Sequence, residues 1–363
     1  MRNMDMTPSR LCREFARILG STPGVINGVC IATRSRTNLH PVVLGRPAES
    51  FMFVPQAFSF EHLNKNGKAL CLGETVLLQK EVNPFMSKLR QHGIIVTATH
   101  NHWLFDKPRL MYMHFESIDE PLTFARKVRD AMRVLTTKQI QVVSSSHKVE
   151  SLHKAKSSSQ EVESSFDFNL QEVESSSLKF DFSSHEAESS SHEFDSFLSP
   201  ETESQDARSV EFQAVRQVDG SLCNQFSRIL GGEMHTFEDD VCIVMRSRHN
   251  IRPVVLGRQG RSFLLIPQMF TFESMSQDGR ALCAGETVIL QEELNPFISR
   301  LREQGILVTA FHNHWLFEHP RLMYIHWLSI DQPLDFARKT RNALSVLTNR
   351  KVRFRSRTSI RRK

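Results

Sequence analysis

HNHWLFDKPRLMYMHF, residues 100–115, returns as HNHWLFEHPRLMYIHW at residues 312–327. Both copies keep three histidines in an H-x-H…H spacing, a tryptophan and one of the chain's only two tyrosines, and the second adds His319 and Trp327. RLMYMHF alternates with the period of two expected of a strand, in which residues two apart share a face. His100 and His102 then point one way and Asn101 the other. In the following strand Leu110, Tyr112 and His114 share a face, with Met111, Met113 and Phe115 opposite. If the strands pair around the 103–108 loop with residue numbers summing to about 214, His114 lies across from His100 and Tyr112 across from His102. Directly opposed residues have Cβ atoms roughly 4.5–5.5 Å apart, so three imidazoles and a phenol would form one patch. The contiguous letters HNH are not the nuclease signature of that name, whose members stand far apart in sequence.

The repetition extends well beyond this stretch. Residues 11–136 match 222–348, and 30 of 43 positions are identical between 73–115 and 285–327. In copy one, LCREFARILG has apolar residues at helical spacing, with Gly20 placed to stop the helix. VCIATRSR, PVVLG and SFMFVPQAFSF read as short strands, with Pro41 and Pro55 suggesting edge or bulged ones. GETVLLQ is a further strand. Asn83 is a candidate N-cap and Pro84 a first helical residue for PFMSKLRQH, with Gly93 closing it. GIIVTATHNH and RLMYMHFES are strands, and Asp119 caps a helix over PLTFARKVRDAMRVL. Residues 74–135 therefore run β-α-β-β-α. The pattern predicts an α+β chain of two repeated domains, each a mainly antiparallel sheet with helices packed on one face. The expected bounds are 1–140 and 210–350, with a linker at 141–209 and a basic tail at 351–363.

Linker and tail differ in kind from the repeats. From Ser144 to Ser209 there are 21 serines among 66 residues, with 14 acidic and 5 basic side chains. Low complexity with excess acid predicts a disordered tether, and its FDF clusters could dock a partner. The tail KVRFRSRTSIRRK carries seven Lys/Arg in 13 residues and could touch a polyanion, as could the basic repeats. The six cysteines form one trio copied, Cys12, Cys30 and Cys71 with Cys223, Cys242 and Cys283. Lacking C-x-x-C spacing, they read as buried free thiols in a reducing compartment. No leader and no apolar run of roughly 18 residues is seen, which predicts a soluble, cytoplasmic protein.

The His face carries the candidate chemistry. Imidazole suits zinc, iron, nickel and copper, and three protein ligands leave a position for water or substrate. The expected metal set is His100, His102 and His114 with Glu74, repeated as His312, His314, His326 and Glu286, for one divalent ion per domain. Tyr112 and Arg109, with Tyr324 and Arg321, are the candidate groups for a small polar or anionic ligand. Glu81 and Glu293 read as structural. Arg34 and Arg36, repeated as Arg246 and Arg248, are either an anion clamp or a charge-protected edge strand, with the edge strand preferred. Three readings of the His face stay open: a hydrogen-bonded structural network, a metal site, and a metal-free ligand site.

GETVLLQKEVNPFMSKLRQHGIIVTATHNHWLFDKPRLMYMHF and its second copy resemble the LppY/LpqO-like family of bacterial proteins. The family pattern falls on Gly73, Glu74, Glu81, Asn83, Pro84, Gly93, His100, Asn101, His102, Pro108, Arg109 and His114, and on their counterparts in copy two. The resemblance implies bacterial origin and tandem copies but no established reaction. The lipoprotein location of some relatives is not carried over, because no lipobox is seen, and the Ser/Glu/Phe spacer departs from the family. The expected function is a duplicated binding module. A metal-dependent hydrolase using the same His/Glu groups and a purely structural or interaction protein are the alternatives, and no residue is assigned a catalytic role.

Overall fold

The computed structural model describes residues 7–141, 220–236 and 241–353. The acidic spacer and most of the basic tail lie outside them, and so do the docking roles expected there. In the first repeat α1 (Arg10–Leu19) precedes β1 (Thr22–Ile26), β2 (Val29–Ser35), β3 (Pro55–Glu61) and β4 (Ala69–Leu78). Then come α2 (Val82–Gln91), β5 (Ile95–His100), β6 (Leu110–Asp119) and α3 (Pro121–Ala131). The six strands form one antiparallel sheet in the order β1-β2-β3-β4-β6-β5. Because β6 lies between β4 and β5, the β4-α2-β5 unit is split by the strand that follows it. The second repeat copies this with α4 (Gly220–Leu230), β7 (Glu233–Thr236), β8 (Cys242–Ser247), β9 (Pro267–Glu273), β10 (Ala281–Leu290), α5 (Leu294–Arg302), β11 (Leu307–His312), β12 (Leu322–Asp331) and α6 (Pro333–Leu344). Its sheet order is β7-β8-β9-β10-β12-β11.

Alternation along the strands divides each sheet into two buried faces. On β6, Met113 and Phe115 join Phe15, Phe85, Phe124 and Val128 under the helices. Leu110 and Tyr112 point the other way, into a core that also holds Leu70, Leu72 and Val76 of β4. That second core contains Ile243, Leu282, Val288 and Tyr324 of the other repeat as well. The helix-free face of each sheet is thus covered by the other copy, and the two repeats share one hydrophobic core. Gly73 of the repeated GET is required by packing, since a Cβ there would lie 2.2 Å from the Phe115 ring. In copy two the Trp327 ring covers Gly285 in the same way.

Matched polar contacts fix how the copies meet. The Glu61 carboxylate accepts from the backbone N–H groups of Arg261 and Ser262. Glu273 accepts from those of Glu49 and Ser50, the corresponding residues of copy one. Arg46 donates to the Ser274 and Arg280 carbonyls, and Arg258 to those of His62 and Lys68.

Several local expectations change. β2 and β3 are interior strands, so neither is an edge; Pro55 is tolerated because it is the first residue of its strand. Arg36 is neither solvated nor free for an anion: it is buried and makes two hydrogen bonds to Glu81. Arg34 bonds Gln56. α2 starts at Val82 rather than Pro84, because a 3-10 turn over Gln79–Glu81 leads directly into it. α3 is capped by Glu120, not Asp119, whose carboxylate holds Lys127. Four of the six cysteines form the disulfides Cys12–Cys30 and Cys223–Cys242; only Cys71 and Cys283 are buried free thiols.

Glu81 accepts from Arg36 and from the backbone N–H groups of Leu78 and Thr136, and the Arg36 charge and hydrogen bonds hold it below the ordinary carboxylate range. Removing one partner leaves a buried charge, so Arg36→Ala should cost about 3–5 kcal/mol in a denaturant melt. An acid whose folded pKa is depressed contributes stability present above its unfolded pKa, near 4.5, and lost as pH falls through the folded value. The difference between Arg36→Ala and wild type should therefore shrink in melts below that pH.

Candidate metal centre

β4 places Glu74 directly across from His114 of β6, and β10 places Glu286 across from His326. On the other side of β6, His100 pairs with Tyr112 and His114 with Ala98. Strand numbers thus sum to 212, two fewer than the expected 214, and the facing pairs shift accordingly. The cause is that β5 ends at His100. The chain then peels away, so that Asp106 and Lys107 pair with Val43 and Val42. His102 sits beyond the strand end, still on the inner side and buried. A shift by two preserves which side chains share a face, so His100, His114 and Tyr112 remain together.

One residue of β5, Thr97, has no partner on β6 and forms a bulge; Thr309 does the same in β11. Bulges re-aim side chains. The Thr97 hydroxyl donates to the His314 carbonyl at 2.6 Å, and the Thr309 hydroxyl to that of His102 at 2.6 Å. Each copy thereby anchors the histidine loop of the other. The repeated T-A-x-H-N-H carries this signal, but its meaning depends on a partner surface that a single repeat lacks.

The sequence reading expects one His site per domain; the structure gathers both sets at one interface. His100 and His312 stack at 3.4 Å between centroids, His102 and His326 at 3.8 Å, and His114 and His314 at 3.7 Å. Three donor sets have their atoms within 4.8 Å of one another: His100, His102, His312 and His314; Glu74, His102 and His114; and Glu286, His314 and His326. Ten ring nitrogens of these six histidines are buried without a hydrogen-bond partner. Trp103 and Trp315 wall the cluster edge-on, each against the opposite copy's His326 or His114.

Burial sets the charge state. It pulls His100 down to about 3 and the other five histidines well below their ordinary range; neighbouring histidines add to the effect. Burial pushes Glu74 up to about 7 and Glu286 upward too, the Glu74 charge adding to the latter. Neutral imidazole is the form that ligates metal.

The remaining candidates have partners of their own. The Tyr112 hydroxyl donates to the Phe53 carbonyl at 2.7 Å while its ring stacks on His102 at 3.6 Å. Tyr324 repeats this with Leu265 and His314. Arg109 and Arg321, half exposed, face Asp106 and Glu318 of their own loops at 3.2 and 3.7 Å. The buried carboxyl of Glu116 escapes a reading based on repetition, because copy two has Leu328 at its place.

The family model described as Domain of Unknown Function (DUF1259) matches residues 13–134 and 224–346. No curated protein and no solved structure matches the chain. The two matched regions coincide with the repeats that build the His interface and together span more than half of the sequence. The chain therefore belongs to the family of Domain of Unknown Function (DUF1259) and carries two copies of its domain.

Proposed function

We propose that this is a metal-binding protein in which two repeats build one shared centre from six histidines and two glutamates. The observation that carries this is the set of ten buried imidazole nitrogens without a protein partner. A buried polar atom left unsatisfied costs about 1–3 kcal/mol, so ten would cost roughly 10–30 kcal/mol, as much as the whole stability of a typical domain. Metal coordination removes that cost and uses the neutral rings that burial enforces. The two Glu-His-His sets have the donor composition that suits zinc, iron, nickel or cobalt, with imidazoles in excess over carboxylates.

The bounds 1–140 and 210–350 stand as our proposal for the domains, each enclosing one family match. The likeness to LppY/LpqO proteins rests on a pattern that includes Glu74, His100, His102 and His114, the histidine and glutamate candidates at this interface. Among the described residues no helix is long and apolar enough to cross a membrane. Disulfides persist in oxidising compartments, so Cys12–Cys30 and Cys223–Cys242 weigh against the cytoplasmic location expected from the sequence.

Elemental analysis of the purified full chain tests the proposal. At least one divalent transition-metal ion per chain is expected, lost when His100, His102, His312 and His314 are all replaced by Ala. A wild-type chain that is folded and metal-free after growth and dialysis in excess zinc would overturn it; the histidines would then be a structural network.

A further inference from the structure

The three donor sets are not independent. His102 belongs both to the four-histidine set and to the set with Glu74 and His114, and His314 both to the four-histidine set and to the set with Glu286 and His326. Each of these two shared rings has one buried nitrogen without a partner, Nε2, whereas His100, His114, His312 and His326 have both nitrogens in that state. One lone pair serves one ion, so a shared ring serves one set at a time. The sets also differ in origin. Each Glu-His-His set comes from a single copy, while the four-histidine set takes two rings from each. They differ in coordination too: four imidazoles close a tetrahedral shell, whereas two imidazoles and a carboxylate leave positions open for water or another ligand.

We infer that the centre has two mutually exclusive loadings, an inference that rests on the metal-binding reading above. In one, a single ion is closed within the four histidines and bridges the copies. In the other, two ions sit one in each Glu-His-His set, with open positions. Filling both glutamate sets takes His102 and His314 and leaves the middle with His100 and His312 alone, too few donors for a third ion of comparable affinity. Metal supply selects between the loadings. When ions are scarce, four donors hold one ion better than three and tie the repeats together. When ions are plentiful, mass action favours the state that binds more of them. The exchange is one of side chains: Thr97 and Thr309 hold the carbonyls of His314 and His102, so only the rings need to re-aim. Scarcity thus closes the centre, and excess opens it to a further ligand.

Co²⁺ is the probe, titrated into the metal-free full chain and followed by its visible ligand-field spectrum, with elemental analysis at saturation. The first equivalent should give the intense bands of a four-coordinate ion. The second should abolish those bands and replace them with the weaker ones of open sites, and saturation should come at two ions per chain. The double variant His100→Ala/His312→Ala should never show the first spectrum yet still bind two ions. Glu74→Gln/Glu286→Gln should stop at one ion and keep the first spectrum throughout. Three ions at saturation, or a second equivalent that adds to the first spectrum without replacing it, would overturn the inference while leaving the histidine centre standing. So would loss of both ions from a folded His100→Ala/His312→Ala chain. No Co²⁺ bound by wild type would overturn the metal centre itself, and this inference with it. The wild-type titration decides the matter where a variant fails to fold.

Discussion

Stripping metal from the purified chain with a chelator is expected to lower its melting temperature by about 5–16 °C for each tightly held ion. Six imidazoles are packed in stacked pairs at 3.4–3.8 Å, and ten of their ring nitrogens are buried without a donor or acceptor in the protein. A ligand that binds only the folded state at a hundred times its dissociation constant adds about 2.7 kcal/mol, and at a thousand times about 4.1 kcal/mol. One kcal/mol moves the melting point of a unit this size by roughly 2–4 °C. Even one tightly held ion therefore produces a shift outside experimental error, and two would double it. The drop should vanish when His100, His102, His312 and His314 are replaced together, because nothing then remains for the chelator to remove. Thermal scans with and without chelator, followed by zinc add-back, read this directly. A chelated wild type that melts with the untreated protein would show that the fold does not depend on metal.

What could be read in advance divides along physical lines. The split β-α-β-β-α core was legible because its signals are local: period-two alternation in RLMYMHF, helical spacing in PLTFARKVRDAMRVL, and a stop at Gly20. Glu74 could be nominated because it starts a strand near the histidines, and the register places it directly opposite His114. The pairing of His100 lies two residues from the register that the sequence suggests, because the chain leaves the hairpin after His100 and Asp106 and Lys107 pair with Val43 and Val42, a contact distant in sequence. The shared interface was illegible for a related reason. Leu70, Leu72 and Val76 announce a buried face, yet nothing in their spacing says that a second copy rather than a helix covers it. Arg36 and Glu81 were separated in sequence by 45 residues, so their pairing could not be inferred from either element alone. Glu116 was invisible for the opposite reason: a search guided by what both copies keep discards what only one of them has.

A single repeat, residues 7–141 expressed alone, is expected to form a homodimer rather than a stable monomer. Removing copy two bares the sheet face built by Ile31, Leu70, Leu72, Val76, Leu110 and Tyr112, all of which now sit in a core common to both copies. An apolar face of that kind is rarely left open on a soluble monomer. The contacts at the interface are reciprocal: Glu61 reaches residues 261 and 262, while Glu273 reaches their counterparts 49 and 50. Thr97 and Thr309 exchange hydrogen bonds with each other's histidine loops in the same manner. Such a surface is self-complementary, so a second copy of repeat one can replace repeat two by an isologous, two-fold pairing. Two His100, two His102 and two His114 would then reassemble the six-imidazole cluster, and the dimer should recover the transition-metal content of the full chain. Light scattering coupled to size exclusion, with elemental analysis on the same peak, tests both statements. A folded, metal-free monomer of the fragment would show that the shared core is dispensable.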